Sequence, residues 1–204
     1  MTKMPPRILL FLKAPRSGLV KTRLAKDVGE EKSCRIYRQL VEHQIKQLPV
    51  DWPVDVYVEP PEALDEMEAW LGSRFRYVGQ CPGDLGDRLQ QGCQRSLRRK
   101  GSAVLCLGGD CPGLSEAFLR QAAQVLEEGA EVVFGPTPDG GYYLVGMKKE
   151  QPGLFTGIPW SSSETLSVSL QKTRSLGLKV ALLPELSDVD TLADWERERR
   201  KFQI

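Results

Sequence analysis

Along the chain, short runs of apolar residues alternate with longer stretches in which apolar positions recur every three or four residues. The runs at 7–13 (RILLFLK), 54–59 (VDVYVE), 74–79 (RFRYVG) and 102–110 (SAVLCLGGD) predict strands, the last being the clearest buried one. The stretch 30–48 carries Ile36, Leu40, Val41 and Ile45 at helical spacing, and helices are also predicted over 61–72, started by Pro61, and over 84–99. Ser115 and Gly129 delimit a further helix. Residues 130–147 read as two strands about a Gly-rich turn, followed by a helix over 161–177, a strand over 179–185 and a helix over 191–202. This alternation predicts one α/β domain over 1–204, with a mainly parallel sheet and helices on both faces. In such sheets ligands bind beyond the carboxyl ends of the strands, which directs attention to the loops after them.

Composition narrows the class. A chain of 204 residues suits one domain with a full core, and 41% hydrophobic with 27% charged residues is ordinary for a globular protein. The net charge of +1 lacks the basic excess of a nucleic-acid binder, and the basic cluster at 95–101 reads as a solvated helix end. The apolar run at 8–12 is stopped by Lys13, too soon for a signal-peptide core or a membrane span; the expectation is a cytoplasmic protein with neither nucleic acid nor membrane as partner. Cys34, Cys81, Cys93, Cys106 and Cys111 form no CxxC pair and read as reduced thiols. A thiol enzyme would require a lowered pKa at Cys111, with only the adjacent turn amides to help. His43 is the sole histidine and falls mid-helix, so any Ser-His-Asp or Cys-His site would depend on that one residue; it reads as a surface or half-buried helical side chain. No GxGxxG follows a strand, which leaves a dinucleotide site unsupported.

Four loops after predicted strands carry candidate chemistry. In the first, Ala14, Pro15 and Gly18 precede Lys21 and Arg23, with Val20 standing where a Walker loop requires glycine. Glycine admits an anion to the backbone while lysine and arginine supply charge, but a turn with two solvated cations explains the residues equally well. In the second, Gly108 and Gly109 precede Asp110, a carboxylate suited to Mg²⁺ and its bound phosphates; helix capping is the alternative. The two glycines favour a ligand passing close by. Asp139 with Gly140 and Gly141 is both a hairpin turn and a carboxylate on the same side as Asp110. In the fourth, Asp194 has capping-box spacing from Thr191, which leaves Asp188 or Asp190 free to be a second metal ligand.

The segments GLVKTRLA, GDLGDRL, GGDCPGL, GPTPDGGYYLVG, IPWSSSETL and DVDTLADW, in this order across nearly the whole chain, resemble the nucleotide-diphospho-sugar transferase superfamily. The similarity is to an uncharacterised bacterial branch often labelled as arsenosugar-biosynthesis-type glycosyltransferases, and more distantly to the molybdenum-cofactor and phospholactate guanylyltransferases. The resemblance implies the GT-A fold, a Rossmann-like three-layer α/β/α sandwich. It implies that Gly18, Lys21 and Arg23, with Ala14 and Gly109, bind nucleotide phosphates, and that Asp110 and Asp190 bind Mg²⁺ or Mn²⁺. It places Gly83, Asp84, Gly86 and Arg88 in nucleotide-contacting loops, and Asp139, Gly140, Gly141, Tyr142 and Trp160 around the acceptor. Glycosyltransferases of this fold carry Asp-x-Asp at the metal; here Pro112 stands at the second position.

The expectation is a metal-dependent transferase acting on an NTP or nucleotide-sugar and a small-molecule acceptor, with Lys21, Arg23 and Asp110 as catalytic residues. The Lys21/Arg23 loop favours nucleotidyl transfer slightly. Glycosyl transfer from a nucleotide-sugar is the alternative, with Asp139 as base, and a non-catalytic nucleotide-binding module is a third reading.

Overall fold

A computed structural model describes residues 4–98 and 103–203. Among these residues, seven strands form one sheet: β1 (Arg7–Lys13), β2 (Val54–Glu59), β3 (Arg76–Gly79), β4 (Val104–Leu107), β5 (Val132–Pro136), β6 (Tyr142–Met147) and β7 (Val180–Leu182). Among the described residues, seven α-helices accompany them: α1 (Thr22–Val28), α2 (Glu30–Lys46), α3 (Leu64–Leu71), α4 (Leu85–Leu97), α5 (Glu116–Glu127), α6 (Thr165–Ser175) and α7 (Leu192–Phe202). A single 3₁₀ turn at Pro61–Ala63 opens the segment predicted as one helix, because proline suits a first turn but donates no hydrogen bond. Ser115 occupies the N-cap position of α5, but its side chain makes no capping bond. Of the basic cluster at 95–101, Arg95 lies in the last turn of α4, whereas Arg99, Lys100 and Gly101, with Ser102 of the predicted fourth strand, lie outside the described residues.

The strand order is β3-β2-β1-β4-β6-β5-β7. Every strand runs parallel to its neighbours except β6, which is antiparallel to both β4 and β5. The chain leaves β1 for β2 on one side, while β4 pairs on the other side of β1. The carboxyl ends of β1 and β4 therefore flank the point where the winding reverses and a crevice opens.

Side chains of the central strands alternate between two cores, as the two-residue period of a strand dictates. Ile8, Leu10, Leu12, Leu105 and Leu107 pack with residues of α2, α3 and α5 on one face. Leu9, Cys106, Val145 and Phe134 pack with Leu89 and Cys93 of α4 and with Leu166 and Leu170 of α6 on the other. The result is the three-layer α/β/α arrangement of the GT-A fold. A third, smaller cluster lies at one edge: Leu24 of α1, Ile36 and Leu40 of α2, Val189, and Trp195 of α7. It docks the first and last helices against α2 and so brings the start of α1 beside the start of α7.

Leu24→Ala should cost about 2–4 kcal/mol of unfolding free energy, since a fully buried leucine leaves a cavity. Urea denaturation checks the value, and a change within experimental error would show that the cluster does not hold the edge together.

Candidate functional site

Three segments far apart in sequence meet beyond the strand ends. The ammonium of Lys21 donates to Asp110 Oδ2 at 2.7 Å and to Asp190 Oδ1 at 2.9 Å, and Arg23 Nη1 donates to Asp190 Oδ2 at 3.3 Å. The Lys21 side chain is 6% exposed, whereas those of Asp110 and Asp190 are 34% and 36% exposed. Burial, the largest influence on Lys21, works against its charge; the two carboxylates outweigh it and hold the ammonium above its ordinary pKa. Lys21 itself adopts the left-handed conformation, with φ 48° and ψ 47°, which is uncommon for a side-chain-bearing residue.

Each partner is fixed from behind. Gln44, buried on α2, donates to the Gly108 carbonyl and accepts from the Cys111 amide, clamping both ends of the loop that carries Asp110. The Asp110 carbonyl accepts from Val189 N at 3.0 Å, which ties this loop to the segment entering α7. Thr191 and Asp194 form a capping box at the start of α7, and Asp190 immediately precedes it. Neither metal-candidate aspartate is itself a helix cap: Ser115 and Thr191 hold those positions.

Two adjoining cavities open here, of about 520 and 440 Å³, sharing Arg23, Leu85, Asp110, Ser161 and Asp190 in their walls. The first is completed by Phe11, Lys13, Leu19, Lys21, Tyr37 and Gly109. The second is completed by Thr137, Asp139, Gly141, Tyr142, Trp160 and Asp188, among others. Asp139 Oδ1 accepts from Thr137 Oγ1 at 2.6 Å and from Gly141 N at 3.0 Å. Gly140 turns with φ 87°, and a Cβ there would strike the Ser163 carbonyl, so the β5–β6 turn lies directly on the 161–165 segment. Ser161 is left-handed as well, with φ 59°. Such outliers persist where the surroundings over-determine them.

The sequence-predicted residues divide into two groups. Lys21, Arg23, Gly109, Asp110, Asp139, Gly141, Tyr142, Trp160 and Asp190 line one or both cavities. Among the described residues, Ala14, Gly18, Gly83, Asp84, Gly86, Arg88 and Gly140 line neither. Ala14 is buried in the core. Gly18 turns with φ 78° against the Glu30 carboxylate. Asp84 caps α4 in a reciprocal pair with Asp87. Arg88 is held by Glu59 at 2.6 Å and Gln80 at 3.2 Å. A Cβ on Gly86 would lie 2.7 Å from the Phe155 carbonyl oxygen, so that glycine serves close packing. From this loop it is Leu85, 42% exposed, that reaches both cavities. Sequence reasoning missed Phe11, Lys13, Tyr37, Gln44, Leu85 and Ser161. An apolar residue exposed between the polar Asp84 and the Gly86-Asp87 pair was the one local hint for Leu85.

Asp110 and Asp190 are hard oxygen donors at the shared wall, a set that suits Mg²⁺ or Mn²⁺ because such ions take one or two carboxylates and complete their shell with water and phosphate. Among the described residues no group of three or more acidic, thiol or imidazole side chains forms a metal cage. Asp188 is raised from 3.8 to about 7 by burial first, then by Asp110, Asp139 and Asp190, with Lys21 opposing. Cys111 is pushed upward by burial and by Asp110, the reverse of what a thiol nucleophile requires. His43 stays on its helix, its Nε2 3.2 Å from the Pro112 carbonyl oxygen.

Between pH of about 4 and about 7 the folded chain retains on Asp188 a proton that the unfolded chain has lost. Stability from this group therefore falls as pH rises through that window and levels off above it. Asp188→Asn should flatten that slope in metal-free thermal denaturation. Gln44→Leu should cost about 1–3 kcal/mol by leaving a buried carbonyl and amide unpaired; denaturant titration measures it.

A family model described as an uncharacterized protein conserved in bacteria (DUF2064) matches residues 44–162. A search of curated proteins gives no match. Among solved structures, a candidate nucleotide-diphospho-sugar transferase from Desulfovibrio desulfuricans G20 is 30% identical with a TM-score of 0.90, over 96% of this chain and 87% of that one. A CMP:2-keto-3-deoxy-manno-octonic acid synthetase complexed with CTP is 14% identical, with a TM-score of 0.62 over 98% of each chain. Rv0371C from Mycobacterium tuberculosis H37Rv, complexed with manganese, is 17% identical, with a TM-score of 0.55 over 95% of this chain and 97% of that one. The last two are likenesses of fold. Among the described residues, no helix is long and apolar enough to cross a membrane. The chain belongs to this bacterial family and, by its likeness to the Desulfovibrio desulfuricans structure, to the nucleotide-diphospho-sugar transferase superfamily.

Proposed function

We propose that the protein is a divalent-metal-dependent transferase that takes a nucleotide-sugar in the first cavity and a hydroxyl-bearing acceptor in the second. The observation that carries this reading is the position of Asp110 and Asp190 in the wall common to both cavities. The first cavity offers the apolar surfaces of Phe11, Leu19 and Leu85 to a base or ribose, and the cations Lys13 and Arg23 to phosphates. Asp110 and Asp190 would hold Mg²⁺ or Mn²⁺, which supplies positive charge for a departing nucleoside diphosphate.

The second cavity shapes the acceptor. Its walls carry Asp110, Asp139, Asp188 and Asp190 together with serine and threonine hydroxyls, and Arg23 is the cation they share with the first cavity. These oxygens offer acceptors for the hydroxyl protons of an uncharged, hydroxyl-rich molecule. Thr137 and the Gly141 amide both bond to Oδ1 of Asp139. Oδ2 is the oxygen available to take the proton of an attacking hydroxyl.

Nucleotidyl transfer is the second reading, favoured by the three cations Lys13, Lys21 and Arg23 around the first cavity. Incubation with Mg²⁺, each common NTP or nucleotide-sugar and a panel of uncharged polyols separates the two. Release of nucleoside diphosphate is the expected result, and pyrophosphate release establishes nucleotidyl transfer instead. Nucleotide binding without turnover of any donor would leave a non-catalytic module. Asp110→Asn should lower turnover at least about 100-fold while leaving the thermal unfolding profile cooperative; undiminished turnover would remove Asp110 from the site.

A further inference from the structure

We infer that Lys21 is a tethered counter-cation that keeps divalent metal off Asp110 and Asp190 until a nucleotide is present. The inference rests on the proposed metal role of those two carboxylates. One ammonium lies 2.7 Å from Asp110 Oδ2 and 2.9 Å from Asp190 Oδ1, and Arg23 takes the other Asp190 oxygen at 3.3 Å, so an ion shared by the two acids competes with cations already in place. The side chain is 6% exposed, and its left-handed backbone at φ 48° directs it there. It is therefore a built position, unlike the 64% exposed Arg23 side chain that touches Asp190 at 3.3 Å.

An ammonium attached to the chain needs no recruitment from solution, so it competes with a free ion at an advantage. Two carboxylates already matched by one buried ammonium and one guanidinium offer an entering dication far less net charge than two bare acids would. Lys21 also lines the first cavity. Phosphates arriving there give the ammonium a new anionic partner, and its departure from Asp110 and Asp190 frees their oxygens. Metal and nucleotide then favour each other's binding reciprocally, although the metal makes no contact with Lys21. A lysine that only gripped phosphate would predict weaker nucleotide binding on its removal, with metal affinity untouched. The counter-cation role predicts a gain in metal affinity, which a merely structural loss would not produce.

The test is titration of Mn²⁺ alone into metal-free protein, following the paramagnetic resonance signal of the free aqua ion. Lys21→Met and Lys21→Gln should each bind Mn²⁺ at least about tenfold more tightly than the unaltered protein. In the unaltered protein, the best of a panel of NTPs and nucleotide-sugars should raise Mn²⁺ affinity by a comparable factor, and that enhancement should shrink in both variants. Equal or weaker Mn²⁺ binding by variants with native circular dichroism overturns the inference. So does unaltered protein that binds Mn²⁺ as tightly without nucleotide as with it, a result independent of how the variants fold. If the nucleotide still binds with Mn²⁺ in those cases, the transferase reading stands and only the counter-cation role falls. Absence of Mn²⁺ binding under every condition overturns both.

Discussion

The ligand face of this protein depends on one buried ammonium shared by two carboxylates. Lys21, Asp110 and Asp190 come from the first loop, the middle and the last tenth of the chain, and their meeting fixes where the strand-end loops lie relative to one another. An ammonium this buried is stable only because both acids surround it; either one alone would have to offset most of the desolvation cost. The supports behind it are apolar and backbone in kind. Leu24, Val189 and Trp195 join the first and last helices through a small core, and the Val189 amide bonds the Asp110 carbonyl. The polar triad is thus backed by apolar packing and by a backbone hydrogen bond.

That division of labour separates the scaffold from the chemistry. The reversal of winding between β1 and β4 opens the crevice, and the antiparallel β6 inserts the β5–β6 turn so that Asp139 faces the same side as Asp110. Gly140 and the 161–165 segment press that turn into place. The two cavities differ in character because different loops build them. The loop after β1 brings cations and apolar surface and the loop after β4 brings Asp110 to both, whereas the turn after β5 brings Asp139 and Thr137, the segment leading into α6 brings serine and threonine hydroxyls and the segment before α7 brings Asp188 and Asp190. A donor with phosphates and an acceptor without them fit that asymmetry.

Much of this was legible in the residues. Runs of two-residue and three-to-four-residue periodicity located all seven strands and six of the seven helices to within a few residues, because burial on one or both faces constrains every position in an element. The remaining helix, α1, is seven residues long with one buried side chain, too short for a period to show. Asp110 and Asp139 stood out through the paired glycines beside them after predicted strands, and capping by Asp194 left Asp188 or Asp190 to be explained. Gly83, Asp84, Gly86 and Arg88 were expected at the nucleotide; capping, close packing and the Glu59 ion pair use those residues, and it is Leu85 that lines the two cavities.

The sequence by itself determined the elements, the layering and which loops could carry chemistry, since these follow from local periodicity and from the strand-end rule. Only the tertiary structure decided what each charged group faces. Lys21 read equally as a phosphate ligand or a solvated cation, since a lysine after a glycine turn shows no partner in its own neighbourhood of the sequence. Its partners lie 89 and 169 residues away, and such pairing is set by how helices pack on the sheet rather than by any pattern along the chain. The same holds for Gln44, an ordinary helical glutamine in sequence, which becomes the clamp of the Asp110 loop once α2 is laid across the end of β4.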